Sequence, residues 1–163
     1  MKERFEQIPI GKIVASKTNP RKHFDERQLE ELRNSIKEKG IVVPVLVRPV
    51  SFREGGDLFE VVAGERRYRS AKELKLETVP CIVRELTDDQ TLEIQVIENL
   101  QRADVHPLDE AEGFAQLIEK GKHTPETIAG KVGKSTTWVY QTLKLNDLIP
   151  ELKKAFWDGK LNR

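Results

Sequence analysis

The sequence predicts an α+β fold in two parts, a small mixed domain over residues 1–88 and an all-α domain over residues 89–163. Three observations lead there. Up to Val83, β-branched runs alternate with stretches of helix-forming composition. From Thr87 onward the apolar residues recur at helical spacing throughout. Charged residues make up 34% of the chain and hydrophobic ones 37%, the balance of a soluble, helix-rich globular protein rather than a disordered one.

In chain order, residues 8–14 alternate loosely and predict a first strand. An irregular basic segment shaped by Pro20 follows, and Asp25 then caps a helix with Gln28 at the capping-box position. Leu29, Leu32 and Ile36 are its apolar stripe, and Gly40 ends it. Residues 41–50 are β-branched and broken by Pro44, which predicts a strand near an edge or a bend. Gly55-Gly56 marks a hairpin-like loop over residues 51–57. Residues 59–63 and 78–83 predict two further strands on either side of an arginine-rich helix.

Thr87 with Gln90 forms a second capping box, opening a helix through Leu92, Val96 and Leu100. Pro107 starts another, whose stripe of Leu108, Ala111, Phe114, Leu117 and Ile118 runs to Gly121. Thr124-Pro125 opens a short helix carrying Ile128 and Ala129, Val132-Gly133-Lys134 turns, and Ser135 caps a helix carrying Val139 and Leu143. Counted from Pro125, a small Ala fifth, Gly ninth and Val fifteenth let two helices cross closely, the helix-turn-helix arrangement. Five lysines against the single acid Glu126 between Lys120 and Lys144 give that segment a positive surface suited to a phosphate backbone. Lys134, Ser135, Thr136, Thr137, Tyr140, Gln141 and Lys144 are the side chains placed towards DNA. Gly133-Lys134-Ser135-Thr136 looks like the tail of a phosphate-binding loop, but the first glycine of that motif falls on Ile128 and no strand precedes it.

The near-equality of Lys+Arg 28 and Asp+Glu 27 means that any nucleic-acid role rests on local patches. The single Cys81 excludes an internal disulfide and reads as a small buried side chain. No apolar run approaches the roughly 20 residues of a membrane helix and no signal-peptide pattern opens the chain, so a cytoplasmic location is expected. The isolated His23, His106 and His123 have no metal-ligand spacing.

The chemistry concentrates in Gly64-Glu65-Arg66-Arg67-Tyr68-Arg69-Ser70-Ala71. A glycine between a buried strand and a helix lets the backbone turn sharply or a ligand come close. The helix start offers unpaired N–H groups and the positive end of its dipole, and three arginines add fork-shaped donors matched to phosphate oxygens. Together they predict a polyphosphate site. A second polar cluster, Glu98-Asn99-Leu100-Gln101-Arg102, closes a helix; a carboxylate beside an amide can offer hard oxygens to magnesium.

These pieces, in this order, resemble the ParB family of DNA-partitioning proteins, which includes nucleoid-occlusion and KorB-like members. The matches are Asn19-Pro20-Arg21-Lys22-His23-Phe24-Asp25, residues 40–48 around Pro44, residues 64–71, Glu98 to Arg102 and the helix-turn-helix, covering nearly the whole chain. The resemblance implies a sulfiredoxin-like N-terminal domain that binds CTP and hydrolyses it slowly with magnesium, so the protein would be a CTP hydrolase acting as a switch. It also implies a palindromic centromere-like DNA site, a ParA-type ATPase partner, closure of two copies into a clamp, and association with a nucleoid or plasmid. By motif, Gly64, Glu65, Arg66, Arg67 and Arg69 would hold the triphosphate, and the segment around Pro44 and Val45, through Arg48, would line the base pocket. Glu98 and Asn99 would bind magnesium with Arg102 nearby, and Glu65 and Glu98 would support hydrolysis.

Val43 stands where the family usually has Gln, Ser70 where it has Ala, and the loop at residues 51–57 is longer than in short chromosomal members, which suggests a plasmid, phage or accessory relative. Because family members continue past Arg163 with further DNA-binding helices and a dimerisation domain, the resemblance implies an N-terminal fragment with weak self-association. The alternative function is a helix-turn-helix transcriptional regulator whose first domain is structural or senses a nucleotide. A sulfiredoxin-like reductase would need a cysteine where Glu65 stands, and a nuclease would need a carboxylate cluster for two metals.

Overall fold

The structure, a computed structural model, describes residues 3–17, 25–51, 57–102, 105–120 and 123–160. The expectations placed on the Asn19 to Phe24 motif, the tip of the 51–57 loop and Gly121 lie outside them. The chain divides into two compact units, Met1–Thr91 and Leu92–Arg163.

In the first unit the predicted opening strand is divided. Strand β1 spans Glu3–Pro9, a 3-10 turn takes Ile10–Lys12, and β2 keeps only Ile13–Val14. Pro9 can give no N–H to a ladder, and beyond it the chain leaves one side of the sheet for the other. Helix α1 (Glu26–Lys39) is capped by Asp25, whose side chain accepts from the amides of Arg27 and Gln28, and Gly40 closes it at φ 70°.

Strand β3 (Val45–Ser51) starts only after Pro44, so residues 41–44 form a bend rather than the strand expected there. The physical reason is Pro44 itself, which has no N–H to give a ladder. β4 (Asp57–Ala63), α2 (Glu65–Glu73) and β5 (Thr78–Arg84) complete the unit.

The sheet order is β1-β5-β3-β4-β2. Pro49 and Pro80 survive inside it because parallel pairing of β3 with β5 runs only from Val45↔Cys81 to Val47↔Val83, missing both prolines. β1 and β2 lie at opposite rims yet are joined by Ile10–Lys12 alone. A flat sheet of five strands would hold the rims roughly 19 Å apart, beyond what so short a link spans, so the sheet curls towards closure. Ile8, Val45, Val47, Val61, Val79 and Cys81 fill the inside of the curl, with Tyr68 and Ala71 of α2 packed over them.

Helix α3 (Asp88–Leu100) opens with the predicted reciprocal capping box between Thr87 and Gln90. The second unit continues with α4 (Pro107–Glu119), α5 (Pro125–Val132), α6 (Thr136–Leu143), a 3-10 turn (Lys144–Asp147) and α7 (Pro150–Trp157). Leu92, Val96, Phe114, Leu117, Ile128 and Val139 form its core. Ile118, expected in the stripe of α4, is exposed; it follows Leu117 directly and so lies about 100° around the helix from it. Among the described residues no helix is long and apolar enough to cross a membrane.

Candidate functional site

The N-terminus of α2 is shaped by Gly64, which sits at φ 99°, ψ 25° and contributes no side-chain cap. A side chain there would strain the backbone, and its Cβ would lie 2.9 Å from Arg67 Nη2. The Gly64 carbonyl accepts from Tyr68 N–H, while the amides of Glu65, Arg66 and Arg67 belong to the open first turn. A bare helix start with the positive pole of its dipole suits an anion.

The three arginines lie around this turn, each already engaged. Arg66 Nη2 donates to the Gln28 carbonyl of α1 at 2.9 Å. Arg67 Nη1 donates to the carbonyls of Val43 and Pro44, both at 2.5 Å, clasping the bend that precedes β3. Arg69 Nε donates to Glu65 Oε1 at 2.9 Å. Arg66 and Arg67 hold neutral carbonyls, so a phosphate oxygen would offer their guanidinium groups an anionic acceptor instead, whereas Arg69 already has one in Glu65.

Glu65 is 7% exposed, and its Oε2 is buried without a hydrogen-bond partner. A buried carboxylate oxygen with no donor is costly, which marks it as an acceptor for a group that a ligand or water supplies. Beside it opens a cleft of about 520 Å³ lined by Ile13, Val14, Ala15, Glu65, Tyr68, Arg69 and Lys72. Tyr68 fixes one wall through its hydroxyl, which donates to the Ile13 carbonyl at 2.9 Å. Burial, with the Glu65 charge adding to it, pushes the Tyr68 phenol above its usual range, so it stays a neutral donor.

The segment assigned to the base has mixed placement. Val45 is fully buried in the first core, leaving only its backbone to meet a ligand. Pro44 is half-buried, and Val43 is 61% exposed. Arg48 points elsewhere, pairing with Glu60 at 2.6 Å and Asp88 at 2.7 Å.

At the end of α3, Glu98 is exposed and Asn99 buried, consecutive residues about 100° apart on the helix. Asn99 Oδ1 accepts from Arg102 Nη1 at 3.4 Å. The local fold thus turns Glu98 and Asn99 to different sides. Among the described residues no group of three or more His, Cys, Asp and Glu side chains could hold a metal, so magnesium would need oxygens from water and a bound phosphate.

The helix-turn-helix is built by local signals. Thr124 and Thr127 form a capping box, Gly133 turns the chain at φ 68°, and the Ser135 hydroxyl accepts from Trp138 N–H at 3.1 Å. Lys134, Ser135, Thr137, Tyr140, Gln141 and Lys144 are exposed and Thr136 is half-buried. Lys134 Nζ lies 5.1 Å from the Trp138 ring centroid, and Tyr140 OH donates to Glu126 at 3.3 Å.

Residues 1–100 match the ParB N-terminal domain family, and residues 103–163 match the ParB HTH domain family. The chain belongs to the ParB family. The chromosome-partitioning protein Spo0J of Thermus thermophilus is 44% identical over 95% of this chain and 55% of its own length. The C-terminally truncated ParB of Caulobacter crescentus, complexed to the centromeric parS site, is 40% identical over 96% of this chain and 80% of that one, at a TM-score of 0.77. The same protein complexed with CTP-gamma-S is 42% identical over 98% of this chain and 87% of that one, at a TM-score of 0.55. The ParB-family chain spans about half the length of the curated relatives it matches.

Sequence reading missed Ile13, Val14, Ala15, Tyr68 and Lys72 of the cleft. Lys72 carries a signal that was available: it stands three residues after Arg69 and seven after Glu65, on one helix face. The β2 residues carried none, because their approach to α2 is a long-range event. Cys81, by contrast, fits the inert reading: burial and then the Glu6 charge push its thiol up to about 12.

Proposed function

We propose that this chain is the nucleotide- and DNA-binding part of a ParB-type partition protein, with residues 1–88 taking CTP and residues 89–163 reading DNA. The observation that carries the reading is the first turn of α2: a left-handed Gly64 with no side-chain cap, three surrounding arginines and an adjoining cleft. The preference for cytidine rests on the relative complexed with CTP-gamma-S, and the preference for a centromere-like site on the relative complexed to parS.

In this reading the amides of Glu65, Arg66 and Arg67 hold phosphoryl oxygens, and Arg66, Arg67 and Arg69 exchange their present partners for the polyphosphate. Arg67 would connect the two halves of the ligand, since its present acceptors are the carbonyls of the base-lining bend. By family likeness, the Glu65 carboxylate in the first unit and the Glu98 carboxylate in the second are each assigned to slow hydrolysis, and Glu98 and the amide oxygen of Asn99 are the groups assigned to magnesium. Bound magnesium would neutralise charge developing on the transferred phosphoryl group. Clamp closure between two copies, a ParA-type ATPase and association with the nucleoid complete the proposal by family likeness.

Equilibrium titration with CTP, ATP, GTP and UTP, each with magnesium, tests it. CTP-selective binding, weakened by both Arg66→Ala and Arg67→Ala, is the expected outcome. Arg66→Ala is the cleaner variant, because Arg67→Ala also releases the 43–44 bend. Failure of all four nucleotides to bind would leave a helix-turn-helix regulator with a structural first unit.

A further inference from the structure

The outer rim of β1 has a pattern that nucleotide and DNA binding do not explain. β1 is a terminal strand of seven residues, Glu-Arg-Phe-Glu-Gln-Ile-Pro, and among the described residues no strand pairs with its far side. Such an edge is a template for another strand unless it is blunted. Here its third residue, Phe5, is 62% exposed.

The hydrogen-bond direction of each residue follows from the ladder. Ile10 N–H donates to the Glu77 carbonyl at 3.0 Å, continuing the register that pairs Glu3 with Arg84 and Pro9 with Thr78. Antiparallel residues alternate between exchanging both backbone bonds with the partner and exchanging none. Arg4, Glu6 and Ile8 therefore spend their N–H and C=O groups on β5, while Glu3, Phe5 and Gln7 aim theirs outward. Pro9 offers a carbonyl and no N–H, which ends the usable edge.

We propose that this edge pairs antiparallel with β1 of a second copy, centred on Phe5, joining two curled sheets into one. That register sets Phe5 against Phe5 and Glu3 against Gln7, all with outward backbone groups. Between them it sets Arg4 of each copy opposite Glu6 of the other, in the closer, non-hydrogen-bonded positions where cross-strand side chains meet. Arg4 and Glu6 already share one face and contact each other at 2.6 Å, so two copies would form a ring of alternating charge. Sliding the pair one hydrogen-bonding step in either direction puts Arg4 against Arg4 or Glu6 against Glu6. Charge thus selects one register, as like charges directly opposite are destabilising. Phe5 is also the cross-strand neighbour of Ile82, so pairing brings two small apolar patches together.

A single strand edge buries less than the roughly 1,200 Å² of a stable interface, so the contact is weak and concentration-driven. It uses neither nucleotide nor DNA and is tested without them. In the paired register the two Phe5 Cα atoms stand about 5.5 Å apart, inside the disulfide window of about 4.4–6.8 Å. Cys81 is fully buried and serves as a silent background thiol.

Under mild oxidation at high protein concentration, Phe5→Cys is expected to be trapped as a covalent dimer. Glu3→Cys and Gln7→Cys are each expected to stay monomeric alone and to trap each other when mixed. Adding Arg4→Glu or Glu6→Arg to Phe5→Cys should lower the yield roughly tenfold, since two cross-strand pairs become repulsive. Mixing those two charge variants restores every opposite pair and should restore the yield, an outcome no in-chain structural role would give. Absence of a Phe5→Cys dimer, self-trapping of Glu3→Cys, or a yield indifferent to charge would each overturn the proposal. All the substituted side chains lie on the strand's accessible edge, and unchanged far-UV dichroism confirms that the variants fold.

Discussion

The Ser70 hydroxyl is enclosed on α2 with no hydrogen-bond partner. Its desolvation is uncompensated, so Ser70→Ala is expected to raise stability by about 1 kcal/mol in urea unfolding. Gly64 is the opposite case. Gly64→Ala would force a side chain into the left-handed region at a cost of about 1–2 kcal/mol and bring its Cβ within 2.9 Å of Arg67. The same denaturation series should show that loss, together with weaker nucleotide binding. Gly64 was legible in the sequence because its role is local, set by the strand before it and the helix after it. The partners of Arg66 and Arg67 were not, since the acceptors are backbone carbonyls of Gln28, Val43 and Pro44, far away in sequence and anonymous in composition.

At the scale of elements, α5 is tied to α3 by one carboxylate. Glu93 receives Lys131 Nζ at 2.5 Å and faces His123 Nε2 at 3.3 Å. The Lys131 hydrogen bond, ahead of its charge and that of His123, holds the Glu93 carboxyl below its ordinary range. A depressed folded-state value contributes stability above the unfolded value of about 4.3, lost as pH falls through the folded one. Glu93→Gln should therefore flatten the loss of melting temperature on acidification below about pH 4.3, measured against the parent at each pH. The helix-turn-helix itself was readable to the residue because Thr124, Gly133 and Ser135 act within one turn. Helix α7 escaped notice although Pro150 stands at its start, and the strand expected at residues 41–44 gave way to Pro44.

For the whole molecule, the proposed DNA face carries its charge on Lys134 and Lys144, both exposed. Replacing both with alanine should weaken binding to every duplex and reduce the slope of log K against log salt by about 2. An unchanged slope in fluorescence-anisotropy titrations would remove them from the phosphate contacts. The order β1-β5-β3-β4-β2 could not be read from periodicity, because alternation shows which face of a strand is inside and says nothing of its neighbours.

That order has a mechanical consequence. Ile10–Lys12 is a buckle between the two margins of one sheet, and its Ile10 amide is pinned to Glu77 just ahead of β5. Force or proteolysis that pulls the leading segment away would strip β1 from β5 and then drag β2 from the wall of the cleft. The cleft beside Glu65 would open from its far margin, though nothing had touched the arginines.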